Sequence, residues 1–227
     1  MASHPQSDTH AALALARQNA VARQIRPWGV SEPHLLSYLM SLSREQFVLP
    51  EYQLVAYADT FLPIGYGEQA LPPKLVARLL QALQLKTTDK VLEIGAGTGY
   101  ISALLGHLTK SVVSVERIPE LAAQASLLLP RLDIHNVTVE TGNGFQGWPS
   151  AGPFDVILLS GSVPYLSKAL REQLSVNGRL FAVIGQGSIQ TAVLLTRVAK
   201  AYWTEQNLFE TWVPPLKDVP NEDQFVF

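Results

Sequence analysis

The stretch Lys90-Val91-Leu92-Glu93-Ile94-Gly95-Ala96-Gly97-Thr98-Gly99-Tyr100 decides the fold. Lys90 to Ile94 is short, mostly apolar and rich in branched residues, which suits a strand buried on both faces. Three glycines at alternate positions then form a tight turn, and the residues from Tyr100 to Leu108 have the length and apolar content of a helix. Strand, glycine turn and helix in that order form the first half of a parallel βαβ unit. Glu93 is the anomaly. A carboxylate inside an apolar strand costs several kcal/mol unless it is partnered or its pKa shifts.

The same rhythm continues downstream. Strands are expected over 111–115, 136–139, 155–159 and 178–184, with helices over 119–129 and 166–174 between them. Residues 189–198 and 207–213 read as two further strands with no room for a helix, so they form an antiparallel pair at one edge of the sheet. Upstream the pattern is helical over 9–26 and stops at Pro27-Trp28-Gly29. Ser31 is placed to cap a second helix running to Met40, with Pro33 in its first turn. Ser43-Arg44-Glu45-Gln46 has capping-box spacing. Residues 50–73 carry Pro50, Pro63, Gly65, Gly67, Pro72 and Pro73 and read as an extended loop, followed by an amphipathic helix over 74–85.

Composition narrows the function. The chain has 227 residues, 47% of them apolar and 16% charged, sufficient for a sizeable core. Its formal net charge is −2, which gives no sign of the basic patch expected of a nucleic-acid binder. It has no cysteine, which excludes disulfides, cysteine metal sites and a cysteine nucleophile. No histidine–carboxylate cluster has metal-ligand spacing, so no metal is expected, and His34, His107 and His135 read as surface or packing residues. No apolar run reaches the ~20 residues of a membrane span, and the first 30 residues lack a leader pattern. A cytoplasmic protein without membrane contact is expected.

The candidate site lies at the carboxyl ends of the first three of these parallel strands. Gly95, Ala96, Gly97, Thr98 and Gly99 form a turn that lets backbone approach a ligand, beside the unpaired N–H groups of a helix start. The spacing G-x-G-x-G differs from the dinucleotide fingerprint G-x-G-x-x-G, because position 100 is tyrosine. This disfavours a nucleotide-dependent oxidoreductase. Glu116 follows Glu93 by 23 residues, at the end of the next strand, where a carboxylate can accept both ribose hydroxyls. Gly142-Asn143-Gly144 follows the third strand, and an amide there can pair with an adenine edge. Taken singly, each element also has an ordinary structural reading. In this order they point to an adenosine-containing ligand.

These residues resemble the protein-L-isoaspartate O-methyltransferases, within the wider S-adenosylmethionine-dependent group. Val91 to Tyr100 is similar to that family's first cofactor motif, and Ser114-Val115-Glu116-Arg117 to its ribose segment. Gly142-Asn143-Gly144, Gly147-Trp148-Pro149 and Pro153-Phe154-Asp155 resemble its third segment. Ala56-Tyr57-Ala58-Asp59 and Leu62-Pro63-Ile64-Gly65-Tyr66-Gly67 resemble its substrate-side loop, and Val213-Pro214-Pro215-Leu216 its usual Val-Pro-Leu. The resemblance implies an α/β fold: a doubly wound, mostly parallel seven-strand Rossmann-like sheet whose last two strands are antiparallel to their neighbours or inserted. It implies an N-terminal helical extension and substrate-side loop over 1–73, and a cofactor-binding core over 74–227, in one compact unit. The implied cofactor is S-adenosylmethionine, with S-adenosylhomocysteine as product, held by Glu93, Gly95 to Gly99, Glu116, Arg117, Asn143 and Gly144. The implied substrate is an isoaspartyl protein or peptide, methylated for repair.

Two departures from the family pattern matter. After Gly67 the family continues Gln-Thr-Ile-Ser-x-Pro, and its serine lies at the substrate. Here the loop reads Glu68-Gln69-Ala70-Leu71-Pro72-Pro73, with Leu71 at the serine position. Asn143 replaces the usual aspartate but keeps a carbonyl acceptor. The substrate-side candidates are therefore Asp59, Gln69, Ala70 and Leu71. No catalytic residue is assigned, because an ionised carboxylate acceptor needs no base. A neutral hydroxyl acceptor would need one, and Asp59 is the candidate. Leu71 leaves two alternatives: a small-molecule acceptor on the same fold, and a cofactor-binding protein without catalysis.

Overall fold

The computed structural model describes residues 5–220. Its contacts fall into two compact units, residues 1–84 and residues 85–227, where the sequence reading expects one unit that changes character after residue 73.

The first unit opens with α1 (Pro5–Ala20), which passes through a wider π-type turn over Val21–Ile25 and a tight turn over Arg26–Trp28. Gly29 ends the run at φ 75°, a left-handed conformation that suits glycine. α2 (Pro33–Ser41) is capped by Glu32, not Ser31: the Glu32 carboxylate accepts from the His34 and Leu35 N–H groups. The Ser31 N–H instead donates to Gln81 Oε1. Gln81 lies on α3 (Pro73–Ala82) and also donates to the Gly29 carbonyl, while Arg78 of the same helix donates to the Trp28 carbonyl. These bonds tie α3, which the sequence reading placed with the cofactor-binding core over 74–227, to the first unit.

The expected loop over 50–73 is more ordered than its proline content suggests. It contains a tight turn over Pro50–Val55 and a small antiparallel hairpin, β1 (Leu62–Gly65) with β2 (Glu68–Ala70). Gly65, Tyr66 and Gly67 reverse the chain at φ 91°, 56° and 75°. The capping-box spacing at Ser43 serves a different purpose. Ser43 Oγ accepts from Arg17, and Glu45 accepts from both Arg17 and the Tyr57 hydroxyl. Burial, with the Glu45 carboxylate beside it, pushes the Tyr57 pKa up. Arg44 is only 1% exposed and donates to the carbonyls of Ala56 (2.8 Å) and Leu71 (2.8 Å), the two ends of the hairpin segment.

The second unit is a seven-strand sheet in the order β5-β4-β3-β6-β7-β8-β9. β3 (Lys90–Ile94), β4 (Ser111–Glu116), β5 (Val137–Thr141), β6 (Phe154–Val163) and β7 (Leu174–Gln186) are mutually parallel. α4 (Tyr100–Leu108) and α5 (Pro119–Arg131) connect the first three of these strands. β3 and β6 lie at the centre with their apolar residues almost fully buried, which is why both read as continuous apolar runs. β8 (Ile189–Ala199) and β9 (Tyr202–Thr211) complete the sheet as an antiparallel meander from β7, with no strand inserted.

Several boundaries moved: β6 and β7 are longer than expected, β7 starting at Leu174. α6 (Lys168–Glu172) is shorter than expected, because Leu174 already pairs with Phe154 in the sheet. β9 starts earlier, after a turn at Lys200-Ala201 that carries no glycine or proline to announce it. At the amino ends of the strands, Asp89 accepts from Arg179 at 2.7 Å and from the Lys86 N–H at 2.8 Å, joining the start of β3 to β7. The glycine turns after β3 and β5 are left at the opposite, carboxyl end.

Arg44→Met should remove the donor from two buried carbonyls. The expected loss is about 3 kcal/mol of stability, at ~1–3 kcal/mol for each buried group left unpaired. Urea unfolding of the variant and the parent measures it, with the unfolding slope unchanged.

Candidate cofactor site

The site is built from three turns that leave adjacent parallel strands at one edge. The first leaves β3. The N–H groups of Gly95 and Ala96 both bond the Val115 carbonyl, so the turn folds onto the end of β4. Gly99 holds φ 90° at the start of α4, and a Cβ placed there would sit 3.1 Å from that of Ala125. Glycine is therefore required twice over, by backbone conformation and by the approach of α5. Thr98 is half-buried in the same turn.

Glu116 ends β4 and is 5% exposed. One carboxylate oxygen accepts the Gly97 N–H at 2.8 Å and the other accepts the Ile118 N–H at 2.9 Å. The carboxylate thus clamps the glycine turn to the start of α5, and each oxygen keeps a lone pair for a further donor. The third turn leaves β5. The Gly142 N–H bonds the Glu116 carbonyl, and Gly144 lies against Ile94, where a Cβ would come within 3.0 Å. Asn143 is exposed. Its Oδ1 accepts from the Phe145 N–H at 2.9 Å, and its Nδ2 donates to the Asp218 carbonyl at 2.8 Å.

Beneath the turns lies Glu93, fully buried. The hydroxyls of Ser102 on α4 and Ser114 on β4 both donate to its Oε2. The Ser160 hydroxyl on β6 faces the same carboxylate and helps hold its pKa down, without a well-formed hydrogen bond to Oε1. Burial pushes the Glu93 carboxyl up to about 7. The hydroxyls of Ser102, Ser114 and Ser160 pull it back, and the nearby Glu116 adds to the rise.

The structure therefore gathers Glu93, Gly95, Ala96, Gly97, Thr98, Gly99, Glu116, Asn143 and Gly144 around one strand edge. Arg117 points instead to the C-terminal segment, where it pairs with Asp218 at 2.8 Å. That segment crosses the same edge. Ser162 exchanges backbone bonds with Pro214 and Leu216, and Leu216 packs beside Gly95. Ser102 and Asp218 were not picked out by the sequence reading, and Ser114 and Leu216 entered it only as members of motifs, without a role of their own. The two serines had a signal, as hydroxyls in otherwise apolar segments, while Asp218 had none. On the first unit, Asp59 is exposed and paired with Lys74 at 2.5 Å, and Lys74 stacks over Trp28. Gln69 is exposed, Ala70 is half-buried, and the Leu71 side chain is buried.

The sheet order and the three turns define the Rossmann-like methyltransferase fold. A family model described as Protein-L-isoaspartate(D-aspartate) O-methyltransferase (PCMT) matches residues 16–219, and the chain belongs to that family. The Protein-L-isoaspartate O-methyltransferase 1 of Rhodopseudomonas palustris (strain HaA2) is 40% identical over 196 residues, covering 86% of this chain and 80% of its own. The Protein-L-isoaspartate O-methyltransferase of Yersinia pestis (strain Pestoides F) is 40% identical over 201 residues, covering 88% and 96%. A solved protein-L-isoaspartate O-methyltransferase superposes with a TM-score of 0.78 at 27% identity. The match covers 88% of this chain and 65% of that one, so the chain spans slightly under two thirds of that structure's length. A Plasmodium falciparum chain solved in complex with S-adenosyl-L-homocysteine superposes at 0.75 with 21% identity, covering 90% and 98%, a likeness of fold.

The raised Glu93 carboxyl gives a signed pH dependence. Its folded-state value, about 7, lies above the ordinary 4.5, so its contribution to stability is full below about pH 4.5 and is lost as pH rises through 7. Glu93→Gln should abolish that loss, worth about 3 kcal/mol at ~1.4 kcal/mol per unit. Thermal unfolding of both proteins at pH 4.5 and pH 8 tests it. The expected result is that the variant loses less stability between the two than the parent.

Proposed function

We propose that this chain transfers the methyl group of S-adenosylmethionine to the carboxylate of an isoaspartyl residue in a damaged protein or peptide, the first step of its repair. The observation that carries the proposal is the Glu116 carboxylate, buried at the strand edge between two backbone N–H groups, with acceptor capacity directed at the ligand side. A ribose diol supplies the two donors such a group takes. The buried Glu93 carboxylate beneath the turn, and the bare backbone of Gly95 and Gly97, fit a ligand with a polar, partly cationic end passing close to the turn. Asn143 retains a lone pair on its carbonyl for an exocyclic amine. Arg117 supports the same edge.

When bound, the cofactor supplies an electrophilic methyl on a sulfonium sulfur. Held at the turns by Glu93, Glu116 and Asn143, it would give that methyl to an ionised carboxylate oxygen and leave as the thioether S-adenosylhomocysteine. The acceptor is ionised near neutral pH and needs no proton removed. The protein's contribution is to align the two reactants, worth about 7–11 kcal/mol when fully realised. No residue needs to act as acid or base, and Asp59, engaged with Lys74, is not required as one. Leu71 supplies no hydroxyl and is buried, so recognition of the acceptor falls to other groups of the loop. The exposed Gln69 amide is the nearest in sequence. A cytoplasmic setting is part of the same proposal.

Labelled methyl transfer to an isoaspartyl peptide, with the matching aspartyl peptide as control, tests the reading. Transfer to the first alone supports it, and equal background transfer to both, from protein that binds the cofactor, overturns it. Glu116→Ala should weaken S-adenosylhomocysteine binding by about 10- to 100-fold in calorimetry, the effect of losing charge-assisted hydrogen bonds worth ~1.5–3 kcal/mol. Gln69→Ala should raise the peptide KM several-fold and leave the cofactor KM unchanged. An unchanged peptide KM would remove Gln69 from the acceptor site.

A further inference from the structure

After Val213 the chain leaves the sheet and runs across the carboxyl edge of the strands. Its first part is firmly anchored. The Val213 N–H bonds Gln190 Oε1 at 2.8 Å, Gln190 bonds the buried Ser162 hydroxyl, and the Leu216 N–H bonds the Ser162 carbonyl at 2.8 Å. Its last part is held differently. Asp218 takes both the Nε (3.0 Å) and Nη2 (2.8 Å) groups of Arg117 on one carboxylate oxygen. Its carbonyl takes the Asn143 amide at 2.8 Å. One residue thus joins the turn after β4 to the turn after β5, by its side chain to one and its backbone to the other.

Asp218 makes these contacts at φ 56°, a left-handed conformation that an aspartate adopts at some cost and keeps where its contacts hold it. The ion pair is partly exposed, with side-chain exposures of 36% for Arg117 and 67% for Asp218. A pair of that kind is weak and salt-sensitive, so it opens readily while the buried anchor at Ser162 stays closed.

We infer that Asp218 is a positioning residue for the cofactor: it fixes Arg117 and Asn143 across the adenosine end of the site, and opening of its contact with Arg117 sets how fast the cofactor leaves. The inference rests on the cofactor site proposed above. It gives the segment after Leu216 a role in residence time and not in the transfer step.

Stopped-flow dissociation of S-adenosylhomocysteine tests this with the parent chain and Asp218→Asn. Asparagine keeps the backbone carbonyl for Asn143 and removes only the charge pair. The variant should release the ligand about two- to fivefold faster, the range of a partly exposed ion pair. The parent's rate should rise by a similar factor between low and high salt, and the variant's should not. Exchange of the two charges, Arg117→Asp with Asp218→Arg, should recover part of the slower release, which a merely structural role would not predict. Melting temperatures confirm that each variant is folded. Equal release rates and equal salt dependence in parent and Asp218→Asn would overturn the inference alone. Failure of the parent to bind S-adenosylhomocysteine at all would overturn the cofactor site and this inference with it.

Discussion

The Glu116 carboxylate is the contact on which the site depends. A single buried side chain accepts the Gly97 N–H from the turn after β3 and the Ile118 N–H at the start of α5. Its own backbone carbonyl accepts the Gly142 N–H from the turn after β5. Three loops that the sequence brings to one edge separately are therefore referenced to one residue. A carboxylate can do this because its two oxygens accept several donors in different directions. Neither a neutral amide nor a hydroxyl would satisfy both N–H groups and still present acceptors to a diol.

Glu93 supports that arrangement from below. In the parallel register it lies beside Ser114 of β4 and Leu158 of β6, so its carboxyl is enclosed between central strands and α4. Serine hydroxyls donate to it, but burial is the larger effect and dominates its ionisation. A group that titrates near neutrality beneath a ligand-binding turn makes the turn's electrostatics sensitive to what lies above it. A positively charged ligand end favours the ionised form.

Much of the fold was legible because the parallel sheet imposes a strong pattern. β3 and α4 have the limits read from sequence, since Lys90 to Ile94 is buried on both faces and the glycines end it abruptly. The short N-terminal segments were less legible. Glu32 is the cap in place of Ser31 because it directly precedes Pro33, the first helical residue, and its carboxylate reaches the His34 and Leu35 N–H groups, while Gln81, some fifty positions further along, takes the backbone N–H groups of both Ser31 and Glu32. The hairpin over Leu62–Ala70 was hidden by prolines, and its reversal needs Tyr66 in a left-handed conformation that tyrosine rarely signals. In the site, glycines, strand-end acids and the Asn143 turn were readable because each is a local exception to an apolar rhythm. Asp218 was not, since its partners Arg117 and Asn143 are distant in sequence and an aspartate near a chain end has no distinguishing context.

The same physical reasoning bears on Leu71. Methyl transfer to an ionised acceptor needs alignment and not proton transfer, so the residues that matter are donors, acceptors and bare backbone, spread over several turns. On the proposed reading, a hydroxyl missing from one loop would remove a single contact with the acceptor and no step of the chemistry. The loop that carries Leu71 is meanwhile held by its backbone: the buried Arg44 guanidinium binds the Leu71 carbonyl and the Ala56 carbonyl together. That restraint acts on main-chain atoms and is indifferent to which side chain occupies position 71. The leucine side chain is buried, 6% exposed, while Arg44 holds the loop's backbone at the Leu71 carbonyl. The substitution thus bears on how tightly an acceptor is held, and leaves the site's machinery for the cofactor, built entirely within the second unit, as it was.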